Sequence, residues 1–596
     1  MTSRTAGAHR GGESGGEADP DGGRRSRGAE GSEQGGASVP EVRQGGAGFA
    51  LDPVAAMLSR AEPSAPRVLG ELISRLDAGG QLRGVSRAMP TRAAARTVEV
   101  EPGSGALAVS GVAFDSREVI PGCVFVAIAG DHADGHDFVE AAAGLGAVAA
   151  IVERKAPGLP LPQIVVGDTR LALATAAAWW YGDPSLSLGV VGITGTDGKT
   201  TTAFLAAAVL ERAGISAGLL TTAEVKIGEV RGANPEHVTT PQAPRLQCAL
   251  RAMAAAGNEA AVVETTSHGL ALRRVAEIAY DIAIFTNLTH EHLELHGTFE
   301  AYRDAKLGLF RDLAANPAKS LRRPWPRTAI VNMDDPAGAL FAEVAAAAGA
   351  GVITYGAVGS AAVRAVAVEE SGPNLRVEVA TPRWRAPVDL QLTGQFNVHN
   401  ALAAVALGEA LKLDPDVIRS GLSGVAGVPG RMERIDRGQP FSVVVDYAHS
   451  PASLQKVLDL LGPFAASHGG GLICVFGSAG ERDVQKRPMM GRIAGERCRL
   501  VVITDEDPRG EDSQTILDEI AAGAQAAGRR RGGDLLCIAD RREAIATALS
   551  RARPGDVVLL AGKGHEQSII MSDGPREWDE RREAVRALEL LGYRNK

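Results

Sequence analysis

Short apolar segments alternate with longer amphipathic or alanine-rich stretches along most of the chain. Between residues 169 and 428 the apolar segments end in polar residues, as in VVGITG, AAVVE, IAIFTN and TAIVNMDD. From residue 429 the alternation restarts with FSVVVDYAHS, GLICVFGSAGERD, RLVVITDEDPRG and DVVLLAGKGHE. Strands that alternate with helices are typical of parallel sheets, whose ligands gather at the carboxyl ends of the strands. The pattern predicts two α/β domains, a central one with a mainly parallel sheet and a Rossmann-like one at the C-terminus.

The N-terminal part of the chain follows a different pattern. A helical segment, LGELISRL, precedes short strands around a turn at Pro121–Gly122, which predicts a smaller α/β domain. The residues before about 48 are mostly Gly, Ser, Glu and Arg and offer almost nothing to bury. We therefore predict a disordered tail over residues 1–66, followed by three domains over residues 67–168, 169–428 and 429–596.

Composition narrows the classes of protein. A chain of 596 residues exceeds the roughly 250–300 that one core supports. A net charge of −8 gives no electrostatic case for binding nucleic acid or a membrane surface. The five cysteines form no CxxC pair, which argues against a disulfide framework and for a reducing compartment. Because no apolar run approaches about 20 residues and no signal-peptide core is visible, we expect a soluble, cytoplasmic protein without membrane insertion.

The segment GITGTDGKTT, residues 192–201, has the character of a phosphate-binding loop between a strand and a helix. Lys199 would neutralise the β- and γ-phosphates of a nucleotide, and the Thr200 hydroxyl would bind Mg²⁺. The strict P-loop pattern has glycine where this chain has Ile193, so the context of strand and helix carries the prediction. The predicted loop residues are Gly195, Thr196, Asp197, Gly198, Lys199, Thr200 and Thr201.

Two further strand ends carry groups suited to metal or catalysis. Glu264 follows the strand AAVVE, where a carboxylate commonly meets a nucleotide-bound metal. The segment THEHLELHG brings three histidines close together, but it is not HExxH and has no cysteine nearby, which argues against zinc. These histidines are therefore open to either a catalytic or a hydrogen-bonding interpretation.

The motifs TGTDGKTT, ETTSHGL, FTNLTHEHLELHG, AYRDAK, GQFNVHNALAA, GVPGRMER, VVVDYAHSP and AGKGHE resemble, in this order, those of the Mur ligase family. The resemblance covers the chain from about residue 67. It implies an ATP- and Mg²⁺-dependent ligase of peptidoglycan synthesis, acting on UDP-N-acetylmuramoyl-L-alanyl-D-glutamate and a diamino acid. ATP would phosphorylate the carboxylate of the nucleotide-peptide, and the amine of the diamino acid would displace phosphate from the acyl phosphate. We expect a monomer.

The resemblance also implies site residues in the central domain. Lys199, Glu264, His292 and Lys306 would be catalytic, and Thr200, Glu264, His292 and Lys306 would hold Mg²⁺. Lys306 would act as a carbamate (N6-carboxylysine) formed with CO₂, although its residue pattern alone indicates a solvated helix lysine. Further ATP contacts would come from Asn397 and Asn400, which would line the adenine side, and from Arg431, Asp446 and His449, with Tyr447 beside them. Asp446 and His449 also suit a strand-end cap.

Substrate contacts follow from the same motifs. The nucleotide-peptide would be bound at its uridine diphosphate end by Ser116, Arg117, His132, Ala133 and Asp134. Further contacts to it would come from Thr239, Thr240, Thr266 and Arg274. The amino acid would be bound by Arg482, Asp507, Arg509, Gly562 and Glu566. Members that add meso-diaminopimelate share a DNPR motif, and this chain has Glu506-Asp507-Pro508-Arg509. The arginine favours diaminopimelate, because a guanidinium pairs with the distal carboxylate, whereas the added acids leave lysine or ornithine open.

Three positions depart from the family pattern. Glu294 stands where the family usually has aspartate, Leu272 replaces a frequent glutamine, and Gly269 replaces the usual alanine, which we expect to be harmless. Rival functions are a ligase resembling folylpolyglutamate synthase, a P-loop NTPase that couples hydrolysis to movement or regulation, and a homologue that only binds. An NTPase would release ADP without a peptide product.

Overall fold

The computed structural model describes residues 52–85, 106–130, 133–159, 161–236, 238–289, 293–371 and 374–594. Within these ranges three sheets carry helices on their faces, with two additional two-stranded ribbons. The protein is therefore of the α/β class and has a three-domain architecture, as the sequence pattern predicts.

The first domain is built on a five-stranded sheet in the order β2-β7-β6-β5-β4. Strands β4 to β7 run parallel and β2 pairs antiparallel at the edge. Gly122 has φ of 89°, which the turn before β5 requires. The elements of this part are α1 (Pro53–Ala61), β1 (Arg67–Val68), α2 (Leu69–Ala78), β2 (Leu82–Val85), β3 (Ala108–Val109), β4 (Gly111–Ala113), β5 (Cys123–Val126), α3 (Val139–Gly144), β6 (Ala149–Val152) and β7 (Gln163–Val166).

Helix α1 corrects the prediction of a disordered tail through residue 66. The Asp52 side chain caps the helix by accepting from the Val54 N–H at 3.0 Å, and Pro53 occupies the first turn. Val54 is fully buried, close to Gly232 of the central domain. Burial of this apolar face explains why residues 53–61 form a helix. The rest of the predicted tail up to residue 51 lies outside the described residues.

The central domain has an eleven-stranded sheet in the order β11-β10-β9-β12-β8-β13-β14-β15-β16-β17-β18. The strands from β9 to β16 in this order run parallel, whereas β10–β11 and β17–β18 extend the two edges as antiparallel ribbons. Its elements are α4 (Thr169–Tyr181), β8 (Gly189–Thr194), α5 (Lys199–Arg212), β9 (Ala217–Leu220), β10 (Val225–Ile227), β11 (Val230–Gly232), α6 (Ala243–Ala255), β12 (Ala260–Glu264), α7 (Ser267–Ala271), β13 (Ile282–Phe285), α8 (Leu293–His296), α9 (Phe299–Arg311), β14 (Thr328–Asn332), α10 (Gly338–Ala347), β15 (Gly351–Gly356), β16 (Val363–Ser371), β17 (Asn374–Ala380), β18 (Arg385–Leu390), α11 (Phe396–Ala410) and α12 (Pro415–Ser423).

Strand β8 lies in the middle of this sheet, between β12 and β13. All residues of these three strands are buried, so their apolar runs reflect coverage by helices on both faces. The loops that follow the three strands therefore meet at one edge, as expected for ligand binding in an open α/β sheet.

A buried ionic cluster lies at the opposite end of the central strands, where β8 and β13 begin. The Lys319 ammonium pairs with Asp281 at 2.5 Å and also donates to the Leu188 carbonyl at 2.9 Å. Asp281 accepts from the Val190 N–H at 2.8 Å and pairs with Arg327. Burial lowers the pKa of Lys319 to about 8, against the opposing attraction of Asp281.

The third domain has a six-stranded sheet in the order β19-β20-β24-β21-β22-β23, parallel except for β19. Its elements are β19 (Glu433–Ile435), β20 (Ser442–Asp446), α13 (Pro451–Ser467), β21 (Leu472–Phe476), α14 (Lys486–Arg497), β22 (Leu500–Ile503), α15 (Ser513–Ala526), β23 (Leu535–Cys537), α16 (Arg541–Ser550), β24 (Val557–Ala561), β25 (Ser568–Met571), β26 (Gly574–Glu577) and α17 (Glu580–Leu590). No helix among the described residues is long and apolar enough to cross a membrane.

Candidate active site

The phosphate loop connects β8 to α5 through two glycines with positive φ. Gly195 has φ of 152° and Gly198 has φ of 82°. A Cβ at Gly195 would overlap the hydroxyl of Thr286, and one at Gly198 would overlap the amide oxygen of Asn400. Both positions therefore require glycine. The loop ends at the N-terminus of the 14-residue helix α5, where unpaired N–H groups and the helix dipole attract anions.

Residues after β13 hold this loop in shape. The Thr286 hydroxyl donates to the Asp197 carbonyl at 2.7 Å, and the Asn287 side-chain oxygen accepts from the Asp197 N–H at 2.9 Å. Sequence reasoning did not single out Thr286 or Asn287. The signal available was their place directly after the strand that neighbours β8. These contacts pre-form the loop for its ligand.

The Lys199 side chain folds back onto its own loop. Its ammonium donates to the Thr196 carbonyl at 2.7 Å and to the Gly195 carbonyl at 3.1 Å. Carbonyl oxygens are weak partners for a cation compared with phosphate. Lys199 is therefore available to turn toward a nucleotide.

Glu264 ends β12 and is only 1% exposed. Its two carboxylate oxygens accept from the backbone N–H and the hydroxyl of Thr222, each at 3.2 Å. Both of these hydrogen-bond partners of the carboxylate, the ones found among the described residues, are neutral groups. A buried carboxylate without a cationic partner is costly, so Glu264 fits a site that takes a cation. Thr200, at the start of α5, adds a hydroxyl oxygen to this edge of the sheet.

Lys306 is buried against the phosphate loop, contrary to the solvated position that its residue pattern indicates. It is 1% exposed, and its ammonium donates to the Gly195 carbonyl at 2.8 Å. The ammonium also stands 4.7 Å from the ring centre of Tyr302, which hydrogen-bonds the Thr196 hydroxyl at 2.9 Å. Helix α9 thus brings Lys306 to the phosphate loop.

Two predicted histidines, His292 and His132, lie outside the described residues, as do His290 and Glu291. In the described part of the chain, no group of three or more His, Cys, Asp or Glu side chains is arranged to hold a metal ion. The His296 ring packs against the rings of His268 and Tyr302.

The asparagines of GQFNVHN lie beneath the phosphate loop. The Asn400 side-chain oxygen accepts from the Thr202 hydroxyl at 3.2 Å, and its amide donates to Asn397 at 2.9 Å. Asn397 in turn donates to the Thr393 carbonyl at 2.8 Å. Both asparagines are buried. They support the turn at Gly198, and contact with adenine stays a prediction.

The third domain contacts the phosphate loop directly. An Arg431 N–H reaches the Thr200 hydroxyl at 3.3 Å, and its guanidinium lies 4.7 Å from the ring centre of Tyr447. The Arg431 Nε is buried without a hydrogen-bond partner among the described residues. Lys456 of α13 pairs with Asp197 at 2.6 Å. Sequence reasoning did not identify Lys456, because only the tertiary structure brings its helix to the loop.

Asp446 and His449 organise the turn after β20. The Asp446 carboxylate accepts from the N–H groups of Met432 at 2.8 Å and Ala448 at 2.9 Å. Burial raises its pKa, although Arg431 acts in the opposite direction. The His449 ring contacts the Tyr447 carbonyl at 2.8 Å. In this structure Asp446 caps the strand end, which is the alternative that the sequence left open.

The predicted contacts for the peptide end of the nucleotide-peptide form one hydrogen-bonded cluster. The Thr240 hydroxyl donates to the Glu264 carbonyl at 3.0 Å and receives the Thr266 hydroxyl at 3.0 Å. Arg274 donates to the Thr240 carbonyl at 2.8 Å and keeps a buried, unpartnered Nε among the described residues. The hydroxyls of Thr239 and Thr222 are hydrogen-bonded to each other at 2.8 Å. These residues adjoin Glu264.

The predicted uridine diphosphate contacts lie in the first domain. Ser116 and Arg117 form a short 3-10 turn, and the Arg117 side chain is 88% exposed and pairs with Asp115. Ala133 is exposed. Asp134 pairs with Arg154 and accepts from the His136 backbone at 2.9 Å, which together hold its pKa well below the usual value.

The EDPR segment follows β22 and faces the loop after β24. Asp507 accepts from the buried Lys563 ammonium at 2.8 Å and from the Ile570 N–H at 2.9 Å. Glu506 is 6% exposed and has one buried oxygen without a partner in the described part of the chain. Arg509 likewise has a buried, unpartnered Nε. One acid of the motif is therefore already neutralised, while a carboxylate oxygen and a guanidinium N–H stay available.

The other predicted amino-acid contacts surround this segment. Gly562 has φ of 101°, and a Cβ there would crowd the Glu506 carboxylate. Glu566 accepts from the Tyr447 hydroxyl at 3.1 Å and pairs with Lys563 at 2.5 Å. Arg482 is exposed on the loop after β21. Lys563, which the sequence reasoning did not name, connects Asp507 with Glu566.

Each of the three domains matches a protein-family model. Residues 108–181 match the model "Mur ligase family, catalytic domain", residues 193–408 match "Mur ligase middle domain", and residues 430–564 match "Mur ligase, glutamate ligase domain". The chain is 48% identical over 489 residues to the UDP-N-acetylmuramyl-tripeptide synthetase of Roseiflexus sp. (strain RS-1), covering 81% of this chain and 95% of that protein.

Two further relatives carry a more specific name. The UDP-N-acetylmuramoyl-L-alanyl-D-glutamate--2,6-diaminopimelate ligase of Geobacter metallireducens is 41% identical over 503 residues, covering 82% of this chain and 96% of that protein. A solved structure of a ligase of this name has a TM-score of 0.56 and 29% identity, covering 83% of this chain and 98% of that one. With its phosphate loop, its three domains and these matches over most of its length, the chain belongs to the Mur ligase family.

Proposed function

We propose that this chain is the ATP-dependent ligase that joins meso-2,6-diaminopimelate to UDP-N-acetylmuramoyl-L-alanyl-D-glutamate during peptidoglycan synthesis. As a Mur ligase the chain is an amide-forming enzyme. The choice of substrates rests on the names of its relatives and on the site. The same reaction with lysine or ornithine is the alternative. We further propose that the enzyme acts in the cytoplasm as a monomer.

The observation that carries the proposal is the junction of the third domain with the phosphate loop. Arg431 reaches Thr200, and Lys456 pairs with Asp197. The junction supports a position of the predicted amino-acid site near the end of the central sheet where a nucleotide γ-phosphate would lie, because Tyr447 contacts both Arg431 and Glu566. A ligase needs these two sites to adjoin, whereas a nucleotidase does not.

The residues of the central domain account for activation of the carboxylate. Lys199 and the N-terminus of α5 would bind the β- and γ-phosphates. Thr200 and Glu264 would hold Mg²⁺, with a carbamylated Lys306 as a further proposed ligand; the metal would offset negative charge between the phosphate and the carboxylate. Thr240, Thr266 and Arg274 would orient the carboxylate of the nucleotide-peptide.

Transfer to the amine follows from the balance of bonds. The amine nitrogen forms a bond to the acyl carbon, and the bond from that carbon to the phosphate oxygen breaks. Phosphate leaves with the electron pair and takes up the proton that the neutral amine loses, so that the products are an amide and hydrogen phosphate. Thr200 and Glu264 are buried at this strand end, which would limit the access of water that competes with the amine.

The EDPR segment favours diaminopimelate over lysine or ornithine. Asp507 is neutralised by Lys563, so it does not offer a free charge to an ammonium group. Glu506 and Arg509 each keep an unpartnered polar atom among the described residues. The distal end of diaminopimelate carries both an ammonium and a carboxylate group, which this pair of opposite charges complements, whereas lysine and ornithine carry the ammonium alone.

The test is a product assay with purified protein, ATP–Mg²⁺ and UDP-N-acetylmuramoyl-L-alanyl-D-glutamate. Phosphate release and product mass are measured separately with meso-diaminopimelate, lysine and ornithine. We expect a tripeptide product with diaminopimelate and at least tenfold lower kcat/KM with the other two. A preference for lysine or ornithine would keep the ligase and overturn the assignment of the amino acid. ADP release without any product would favour a nucleotidase.

A further inference from the structure

A small cavity lies where the central and third domains meet. Thr222 and Asn234 line it from the central domain, and His565 and Glu566 line it from the third. Its free volume of about 20 Å³ is enough for one water-sized group and too small for a whole amino acid. An amino group has this size.

His565 lines this cavity and has an unused ring nitrogen. Its Nδ1 is buried and has no hydrogen-bond partner in the described part of the chain. Its ring is fixed by packing 4.9 Å from the ring centre of Tyr447. Buried polar atoms normally have a partner, so an unpartnered nitrogen beside a cavity indicates a ligand or a water.

The surroundings of His565 keep the ring neutral. Burial lowers the pKa of His565 to about 3, and the charges of Arg431, Lys563 and His449 act in the same direction. A hydrogen bond with the backbone of Thr222 opposes them only in part. A neutral imidazole has one N–H and one lone pair. We assign the ring proton to Nε2, because Nδ1 is the nitrogen without a partner among the described residues, and this assignment makes Nδ1 an acceptor.

The cavity separates the two halves of the proposed reaction. On one side, Thr222 donates to both carboxylate oxygens of Glu264. On the other side, Glu566 belongs to the predicted amino-acid site and is tied to Tyr447 and Lys563. The cavity therefore lies between residues that adjoin Glu264 and residues of the predicted amino-acid site.

We propose that Nδ1 of His565 accepts a hydrogen bond from the α-amino group of the incoming amino acid and positions this group for attack. The inference rests on the proposed function and adds a substrate-binding residue to it. His565 takes no proton in this role. It fixes the amine through one N–H, which leaves the nitrogen lone pair free to face the acyl carbon.

The test uses the full-length protein and separates the two half-reactions. The acyl phosphate formed without amino acid is trapped with hydroxylamine, and steady-state rates are measured against the concentration of diaminopimelate. The variants are His565→Phe, which removes the acceptor, and His565→Asn, whose amide oxygen can occupy the place of Nδ1. Gln567→Ala is the control, because it changes the cavity wall and leaves the nitrogen in place.

We expect His565→Phe to raise the KM for the amino acid at least tenfold while acyl phosphate formation stays within twofold of the wild type. His565→Asn should recover most of this loss, and Gln567→Ala should resemble the wild type. An unchanged KM in His565→Phe would mean that the cavity holds a structural water, and parallel loss of both half-reactions would mean that His565 only joins the domains. Either result overturns the inference. A wild-type protein that forms no acyl phosphate would overturn the proposed function as well.

Discussion

The ammonium of Lys456 lies 2.6 Å from the carboxylate of Asp197 and joins the third domain to the phosphate loop. Burial would raise the pKa of Asp197, but the positive charges of Lys456, Lys199 and Arg431 together hold it below the usual value. The pair forms only when helix α13 lies over the loop. It therefore ties the position of the third domain to the site where a nucleotide would bind.

We expect Lys456→Ala to weaken ATP binding modestly. The two side chains are 55% and 44% exposed, and exposed ion pairs contribute about 0.2–1 kcal/mol. The KM for ATP should rise by up to about fivefold, and the difference should shrink in high salt because the charges are screened. Asp459→Ala is the matched control, since Asp459 lies on the same helix and pairs with Arg497 within one domain. Equal effects of both variants would argue against a contact between domains.

We expect Lys306→Ala to lose most activity, and added bicarbonate not to restore it. If Lys306 acts as a carbamate, removal of CO₂ from the buffer should also lower wild-type activity, and bicarbonate should restore it. Lys306→Arg keeps a cation near the Gly195 carbonyl but does not form the carbamate. An active Lys306→Arg variant would show that a positive charge suffices at this position.

We expect Gly269→Ala, which introduces the residue usual in the family, to raise the KM for the nucleotide-peptide. A Cβ at Gly269 would overlap the Cγ2 methyl of Thr240. The hydroxyl of the same threonine donates to the Glu264 carbonyl. Overpacking of this kind costs about 1–3 kcal/mol. The double variant Gly269→Ala/Thr240→Ser removes the methyl and keeps the hydroxyl. Failure of the double variant to recover substrate binding would contradict the steric explanation.

We expect Asp507→Ala to destabilise the third domain by about 3 kcal/mol, because removal of one partner of a buried ion pair leaves the other uncompensated. Lys563 is 1% exposed at its side chain, although Glu566 stays as a second partner. Asp507→Asn restores the family residue and keeps an acceptor for the Ile570 N–H, so its effect should be smaller. Urea unfolding measures both, with Asp573→Ala, which breaks an exposed pair with Arg576, as control.

We expect the thermal stability of the central domain to depend on Lys319 above pH 8. Its pKa is about 8 in the folded protein, against an ordinary value of 10.5. Between these values the unfolded chain binds more protons than the folded one, so the contribution of this group to stability rises with pH. The melting temperature of the wild type, measured relative to that of Lys319→Met, should therefore rise between pH 8 and pH 10.5. The exposed variant Lys155→Met should show no such trend.

The sequence was informative where chemistry depends on neighbours in the chain. The residues from Gly195 to Thr201 predicted the phosphate loop, because the turn, the lysine and the first residue of the helix lie within a few positions of each other. The strand ends at Glu264 and Asp446 were equally visible, since apolar runs that stop at a carboxylate are a local pattern. The three α/β domains followed from the same alternation of strands and helices.

The sequence was uninformative where a contact joins distant segments. Lys306 looked like a surface lysine, because a helix lysine is normally solvated, yet α9 packs against the loop and buries it. The residue pattern does not predict helix α1, because a short helix becomes stable only when its apolar face finds a partner. The structure provides that partner beside Gly232 of the central domain.

The sequence by itself therefore determined the fold class, the family and the residue types at the ends of the strands. Only the tertiary structure decided which of these residues are neutralised and which stay available: Asp507 is paired with Lys563, whereas Glu506, Arg509 and His565 each keep an unused polar atom among the described residues. The reason is physical. A side chain's type is fixed by the gene, but its charge state and hydrogen bonds depend on burial and on neighbours that folding brings from tens to hundreds of residues away.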